Sequence, residues 1–254
     1  MGSYLGKHAE FYDIFYQDKP YSKEAAFVDE LLKRHAQGEN KTLLELACGT
    51  GRHAFEFEKL SYQILATDYS QDILRVARQK ADALQSKVIF ELQDMRSLAI
   101  PPQPYDAVVC LFDSIGYVQT NEAILQVFAG IRQNLRQNGL FVFEFWHAAA
   151  MLRNYEQSRQ RKWQVGAGEI ARTSTTRLEV SRQLAHVTYD IVEFDEKQQR
   201  ISELKETQTN RYFLVQEMAA LLQCGGLAPV EFVTAYEDAP ITEDTWHNLG
   251  VARR

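Results

Sequence analysis

The sequence predicts an α/β fold: a Rossmann-like, seven-stranded, mostly parallel sheet with helices on both faces, plus an antiparallel β insertion after strand five. Three observations predict it. Short apolar runs alternate with helical stretches as far as Trp146, the pattern of a parallel sheet covered on both sides. A glycine-rich turn, Cys48-Gly49-Thr50-Gly51, joins the first run to the helical stretch after it, as in folds that hold a nucleotide at a strand–helix turn. From residue 168 to 213 the pattern becomes the two-residue alternation of antiparallel strands.

Each element has its own reason. Tyr4 to Tyr21 is dense in tyrosine and phenylalanine, and Ser22 to Gln37 follows as an amphipathic helix with Phe27, Leu31 and Leu32 on one face. Thr42 to Ala47 is a short apolar run expected of a buried parallel strand. Helix Arg52–Leu60, strand Gln63–Thr67, helix Gln71–Leu84 and strand Val88–Gln93 continue the alternation. Tyr105 to Phe112 is a fourth strand, and Glu122 to Leu135 a helix that Asn138-Gly139 is expected to stop in a left-handed turn. Leu140 to Trp146 is the fifth strand. Residues 147–167 read as helical or irregular and basic. Val187–Phe194 and Arg200–Phe213 read as strands of the insertion, Leu214–Gln223 as a helix ended by Gly225-Gly226, and Val230–Tyr236 and Trp246–Arg253 as closing strands.

Composition narrows the function. The 254 residues carry 45% hydrophobic and 24% charged side chains, ordinary for a chain with a sizeable core. A formal net charge of -6 argues against a nucleic-acid partner, which calls for a strong basic face. Three scattered cysteines, Cys48, Cys110 and Cys224, suit neither a disulfide framework nor a CxxC metal site, and fit a reduced, cytoplasmic setting. The start lacks a secretory signal, and no apolar run has the length of a membrane span. No metal and no membrane partner are expected. A monomer or a homodimer fits equally.

Acidic side chains follow the glycine turn in register. Glu45 lies inside the first strand, where a carboxylate is costly unless satisfied. Asp68 closes the second strand, 19 positions after Gly49; a carboxylate there can accept from both hydroxyls of a ribose. Asp94-Met95 ends the third strand, placing an acceptor for an adenine amino group beside an apolar face. Tyr12, Tyr16 and Trp146 offer ring faces to a cation. The P-loop pattern is absent.

These residues carry a resemblance. Glu-Leu-Ala-Cys-Gly-Thr-Gly, then Asp68, then Gln93-Asp94-Met95-Arg96 resembles the class I S-adenosylmethionine (SAM)-dependent methyltransferases over residues 40–146. The resemblance implies SAM as cofactor and S-adenosylhomocysteine as product. It implies that Ala47, Gly49 and Gly51 line the methionine part, that Asp68 binds the ribose with Tyr69 beside the adenine, that Asp94 and Met95 frame the adenine, and that Phe112 opens the loop to the acceptor. Ala47 stands where many relatives have glycine.

A narrower resemblance concerns the acceptor. Phe11-Tyr12-Asp13-Ile14-Phe15-Tyr16 with Tyr21, Phe112-Asp113-Ser114-Ile115-Gly116-Tyr117, and Glu144-Phe145-Trp146 are similar to segments of nucleotide-sugar amine N-methyltransferases, of the desosamine and mycaminose N,N-dimethyltransferase type. This implies that Tyr16 and Tyr21 close over SAM and that Tyr117 stands near the acceptor amine. Asp113 departs from the small residue expected there. Tyr117, Glu144 and His147 are the candidates to orient the amine; the other histidines, His247 among them, read as structural or solvated. Tyr12, Trp146, Arg153 and Arg172 are the candidate acceptor contacts. Arg153, Arg159, Arg161, Lys162, Arg172, Arg177 and Arg182 cluster in an acidic chain, and arginine forks suit diphosphate oxygens.

Three segments are expected: 1–146 as lid and SAM-binding core, 147–213 as an antiparallel insertion covering the acceptor site, and 214–254 as the C-terminal helix and closing strands. The favoured activity is methylation of the amino group of a nucleotide-linked aminosugar. Another small amine or a carboxylate is the alternative acceptor. An NAD-dependent dehydrogenase shares the glycine turn and Asp68 but gives Asp94-Met95 no role. A non-catalytic SAM-binding or scaffold protein would be favoured by loss of the glycine turn or Asp68, and both are present.

Overall fold

The computed structural model describes residues 6–39, 41–100 and 104–254. Two helices come first, α1 (Lys7–Phe15) and α2 (Tyr21–His35). The core then alternates: β1 (Thr42–Leu46), α3 (Arg52–Lys59), β2 (Gln63–Asp68), α4 (Gln71–Leu84), β3 (Ile89–Leu92), β4 (Tyr105–Cys110), α5 (Asn121–Asn134) and β5 (Leu135–Trp146). A short helix α6 (Ala148–Asn154) leads into β6 (Ser158–Val165), β7 (Gly168–Glu179), β8 (Leu184–Phe194) and β9 (Arg200–Arg211). Helix α7 (Val215–Cys224) and strands β10 (Ala228–Thr234) and β11 (His247–Arg253) close the chain.

The core sheet has seven strands in the order β10-β11-β5-β4-β1-β2-β3, with β11 antiparallel to both its neighbours. Its remaining pairs are parallel, so side chains alternate between two covered faces. Leu43, Ala107, Val109 and Val142 pack with α2, α3 and α4 on one face. Leu44, Val108, Phe141, Phe143 and Phe145 pack with α5 and α7 on the other. Each fully buried phenylalanine contributes about 2–3 kcal/mol. Ser70 caps α4 by accepting the N–H of Ile73, and Thr120 caps α5 by accepting that of Ala123.

The second sheet is the antiparallel ladder β6-β7-β8-β9. Two expectations change here. The basic stretch 147–167 is helical only through Asn154 and then becomes edge strand β6, whose alternation is hidden because its outward residues are almost all polar. Asn138-Gly139 does not stop α5. The helix ends at Asn134, and Asn138, with φ 63°, sits in an irregularity within β5, whose pairing jumps from Tyr105–Leu135 to Ala107–Leu140.

Helix α1 bridges the two sheets. Phe11 and Phe15 pack against Trp163, Ile170 and Ile191 of the second sheet, and His8 pairs with Glu206 at 2.8 Å. On the other side Asp13 accepts from Thr50 Oγ1 at 2.8 Å and pairs with Lys80 at 2.5 Å. No described helix is long and apolar enough to cross a membrane.

Candidate active site

A cleft of about 1160 Å³ opens between the C-terminal ends of the parallel strands and the inner face of the second sheet, roofed by Tyr12 of α1 and by Tyr16, which caps that helix. Ligands of open α/β sheets bind at that edge because every strand–helix turn there presents backbone N–H groups. One half of the cleft is built by the ends of β1, β2 and β3. Asp68 reaches back to the glycine turn: its Oδ2 accepts the Gly49 N–H at 3.0 Å and its Oδ1 the Ser70 N–H at 2.9 Å. Burial pushes its carboxyl up to about 6, against those N–H groups, which favour the ionised form. Ala47 and Gly49 both have positive φ, 52° and 58°. The alanine carries the left-handed strain that a glycine would avoid.

Asp94 faces the same half and is gripped by Arg96, whose Nε lies 2.9 Å from Oδ1. That hydrogen bond holds the Asp94 carboxyl below the usual range. Met95 and the exposed ring of Tyr69 complete the wall. A small annex shares Tyr12, Ala47, Phe112 and Ser114 with the cleft and adds Tyr21, Glu45 and Arg52. The Arg52 guanidinium lies 4.5 Å over the Tyr21 ring. Glu45 Oε2 has no partner among the described residues, and burial, with Asp68 nearby, pushes this carboxyl up to about 8.

The other half is aromatic and cationic. Tyr117 donates its hydroxyl to Gln208 Oε1 at 2.8 Å, and Trp146 forms part of the wall. Arg172 is 7% exposed and stacks over Phe15, Trp163 and Tyr189 at 4.6, 5.0 and 5.1 Å. Its Nε has no partner among the described residues. Arg161 is its cross-strand neighbour and Arg159 lies two residues along, both lining the cleft. Burial lowers the Arg161 pKa, with Arg159 and Arg172 adding to the effect. Like charges directly opposite on a sheet repel, so this face is set for an anion.

Comparison with known proteins follows the same line. Residues 43–139 match the family described as methyltransferase domain. That family match covers under half of the chain. The chain is 33% identical over 141 residues to the dTDP-3-amino-3,4,6-trideoxy-alpha-D-glucopyranose N,N-dimethyltransferase of Streptomyces venezuelae, covering 55% of this chain and 57% of that protein. It is 30% identical over 136 residues to a putative methyltransferase of Geobacillus sp. (strain WCH70), covering 54% and 55%. The match thus spans little more than half the length of these curated relatives. Among solved structures, an S-adenosylmethionine-dependent methyltransferase from Clostridium acetobutylicum superposes with TM-score 0.81 at 21% identity, covering 97% of each chain. The sugar N-methyltransferase KedS8 from Streptoalloteichus superposes with TM-score 0.80 at 22% identity, covering 100% of this chain and 96% of that one. The fold is the class I methyltransferase fold.

Within the matched segment and around it, most sequence-predicted residues meet at the cleft: Tyr12, Tyr16, Ala47, Gly49, Asp68, Tyr69, Asp94, Met95, Phe112, Tyr117, Trp146 and Arg172 all line it. Five do not. Tyr21 walls the annex. Gly51 faces away; a Cβ there would lie 2.7 Å from the Phe90 ring, so this glycine makes room for packing. His147 is buried, with Nδ1 against the Thr245 carbonyl at 3.2 Å, because the chain turns into α6 at that point. Arg153 points to solvent and pairs with Glu243. Glu144 is spent inside: Oε2 accepts the Phe112 N–H and the Tyr236 hydroxyl, and Oε1 lies 3.2 Å from His247 Nδ1.

His247 is the cleft residue that sequence reading missed. It lines the wall beside Asp113 and Trp246, and its Nδ1 lies 2.9 Å from Asp113 Oδ2. Asp113, an acid where a small residue was expected, was the sequence signal pointing there. Arg52 was missed too, since a basic residue opening a helix carries no signature.

Proposed function

We propose that the chain is a SAM-dependent methyltransferase for a small molecule, with the amino group of a nucleotide-linked aminosugar as the favoured acceptor. The observation that carries the reading is one cleft with two unlike halves: acidic and apolar at the glycine turn, aromatic and arginine-rich at the second sheet. The first half fits the cofactor. Asp68 is the acceptor for the ribose hydroxyls, Asp94 and Met95 frame the adenine with Tyr69 alongside, and Gly49 leaves the backbone open to close approach. Arg52 and Tyr21 in the annex suit the carboxylate of the methionine tail. SAM supplies a methyl group on a sulfonium, and the rings of Tyr12, Tyr16 and Phe112 suit that cation.

The chain's part in the reaction is alignment and exclusion of water. The amine must present a neutral lone pair about 3 Å from the methyl carbon, under the roof of α1. Tyr117, fixed by Gln208, orients the nitrogen. Arg172, Arg161 and Arg159 take the diphosphate, with arginine forks matched to phosphate oxygens. Residues 147–213 would then cover the acceptor, 1–146 hold the cofactor, and 214–254 complete the sheet. The relatives named for dTDP-linked aminosugars support this acceptor class.

A panel of nucleotide-linked aminosugars incubated with SAM and read by mass spectrometry tests it. Gain of one or two methyl groups is expected. Methylation of free amines or carboxylates in preference to every nucleotide-linked sugar would move the acceptor to the alternative class.

A further inference from the structure

Three groups meet under the wall of the cleft at the end of β4. Asp113 and Glu144 are 3% and 2% exposed, while the His247 side chain is 43% exposed and reaches the cleft. His247 Nδ1 lies 2.9 Å from Asp113 Oδ2 and 3.2 Å from Glu144 Oε1. Both Phe112 and Asp113 adopt left-handed backbone, φ 55° and 54°. Two consecutive non-glycine residues there cost about 1–2 kcal/mol each. The strained turn aims the Phe112 N–H at Glu144 and the Asp113 carboxylate at the imidazole. Strain of this kind concentrates at binding and catalytic sites.

The arrangement fixes one nitrogen and leaves the other. A carboxylate at Nδ1 sets the tautomer and ring orientation of a histidine, as in hydrolase triads. Here two carboxylates do so, and Nε2 has no partner among the described residues. Burial alone would lower the histidine's pKa, but Asp113 and Glu144 more than offset it and hold His247 protonated up to about 11. Lys19, over the Phe112 ring at 4.4 Å, and the Tyr236 hydroxyl on Glu144 are the other polar groups facing the cluster. Protonated at both nitrogens, His247 cannot take the proton of an incoming ammonium. It can donate.

We infer that His247 is a specificity residue for the acceptor: Asp113 and Glu144 clamp its Nδ1–H, and its Nε2–H donates to a hydroxyl on a carbon next to the acceptor's amine. Asp113 and Glu144 are positioning residues that act through it. The inference rests on the aminosugar reading. It explains why this chain has an acid at position 113: without it the ring would hang on Glu144 alone.

Three probes grade the effect. dTDP-3-amino-3,6-dideoxy-alpha-D-glucopyranose has a hydroxyl on both carbons flanking the amine. The 3,4,6-trideoxy sugar lacks the one at C4, and dTDP-4-amino-2,3,4,6-tetradeoxy-D-glucose has none. The wild-type protein should prefer the hydroxyl-bearing sugars by about 10- to 100-fold in kcat/KM, the range of a hydrogen bond from a charged donor. His247→Asn keeps an N–H at the Nδ1 position and removes Nε2, so it should fold, bind SAM unchanged and lose the preference. His247→Gln, which reaches toward the Nε2 position, should restore part of it. A His247→Asn protein with the wild-type preference overturns the inference. Methyl transfer to none of the three sugars, with SAM still bound, overturns the aminosugar reading instead, and this inference falls with it. Imidazole ¹⁵N spectra read His247 without any acceptor: both nitrogens should be protonated at pH 7.5, and a deprotonated Nε2 would contradict a donor.

Discussion

The Asp68 carboxylate accepts the backbone N–H of Gly49 at 3.0 Å, tying the end of β2 to the turn that follows β1. This bond fixes the turn and keeps the carboxylate at the cleft wall. On the proposed function, a ribose there would exchange hydroxyl donors for solvent around a group already in place, so little order would be lost on binding.

Asp68→Ala should therefore keep its fold, read by circular dichroism, and lose SAM affinity by about 100-fold or more, as expected when two charge-assisted hydrogen bonds go. The same carboxyl, raised to about 6 by burial, must be ionised to accept from both hydroxyls. SAM affinity of the wild-type protein should fall as pH drops below about 6, and calorimetry at pH 5 and pH 8 measures it.

Glu45 sets a different pH dependence. Its carboxyl is buried in β1 and raised to about 8. Below pH about 4 it is protonated in folded and unfolded chains alike, and costs nothing. As pH rises from there toward 8, only the unfolded chain releases the proton, so the folded state loses stability. Glu45→Gln should match wild type at pH 4 and exceed it by at least about 1 kcal/mol at pH 8. Urea midpoints at the two pH values check this.

The strands of the core sheet and the glycine-turn half of the cleft were legible in the sequence because their signals are local. Leu43 to Leu46 ran into a glycine turn, and Asp68 and Asp94 each closed an apolar run. Glu144 and His147 were legible as polar residues at the end of β5 but not as to direction. A one-residue step on a strand changes face, and the turn into α6 takes His147 inside. His247 was illegible for the opposite reason. Its partners Asp113 and Glu144 lie 134 and 103 positions away, and only the antiparallel pairing of β11 with β5 brings them together.

Gly51→Ala separates packing from binding at the glycine turn. Its φ is +77° and an added Cβ would lie 2.7 Å from the Phe90 ring. The substitution should destabilise the protein by about 1–3 kcal/mol, seen as a lower melting temperature. SAM affinity measured well below that temperature should stay close to wild type.

Arg172→Met should leave stability within about 1 kcal/mol of wild type, because cation–π contacts are lost while a buried, carboxylate-free cation is removed. KM for a nucleotide-linked acceptor should rise about tenfold or more, with SAM binding unchanged. Arg172→Lys should not restore it, since an ammonium lacks the planar fork.

Tyr117→Phe removes the hydroxyl that donates to Gln208 at 2.8 Å. It should lower kcat about tenfold and leave the SAM dissociation constant unchanged. Equal turnover would strip the hydroxyl of a part in orienting the amine.

A crystal of the wild-type protein soaked with S-adenosylhomocysteine decides whether the cleft is a cofactor site. The adenosine should lie between Asp68 and Asp94, with both ribose hydroxyls within hydrogen-bond reach of Asp68 and the amino-acid tail toward Arg52. An adenosine lodged elsewhere, or a glycine turn closed against it, would contradict the reading of this protein as a methyltransferase.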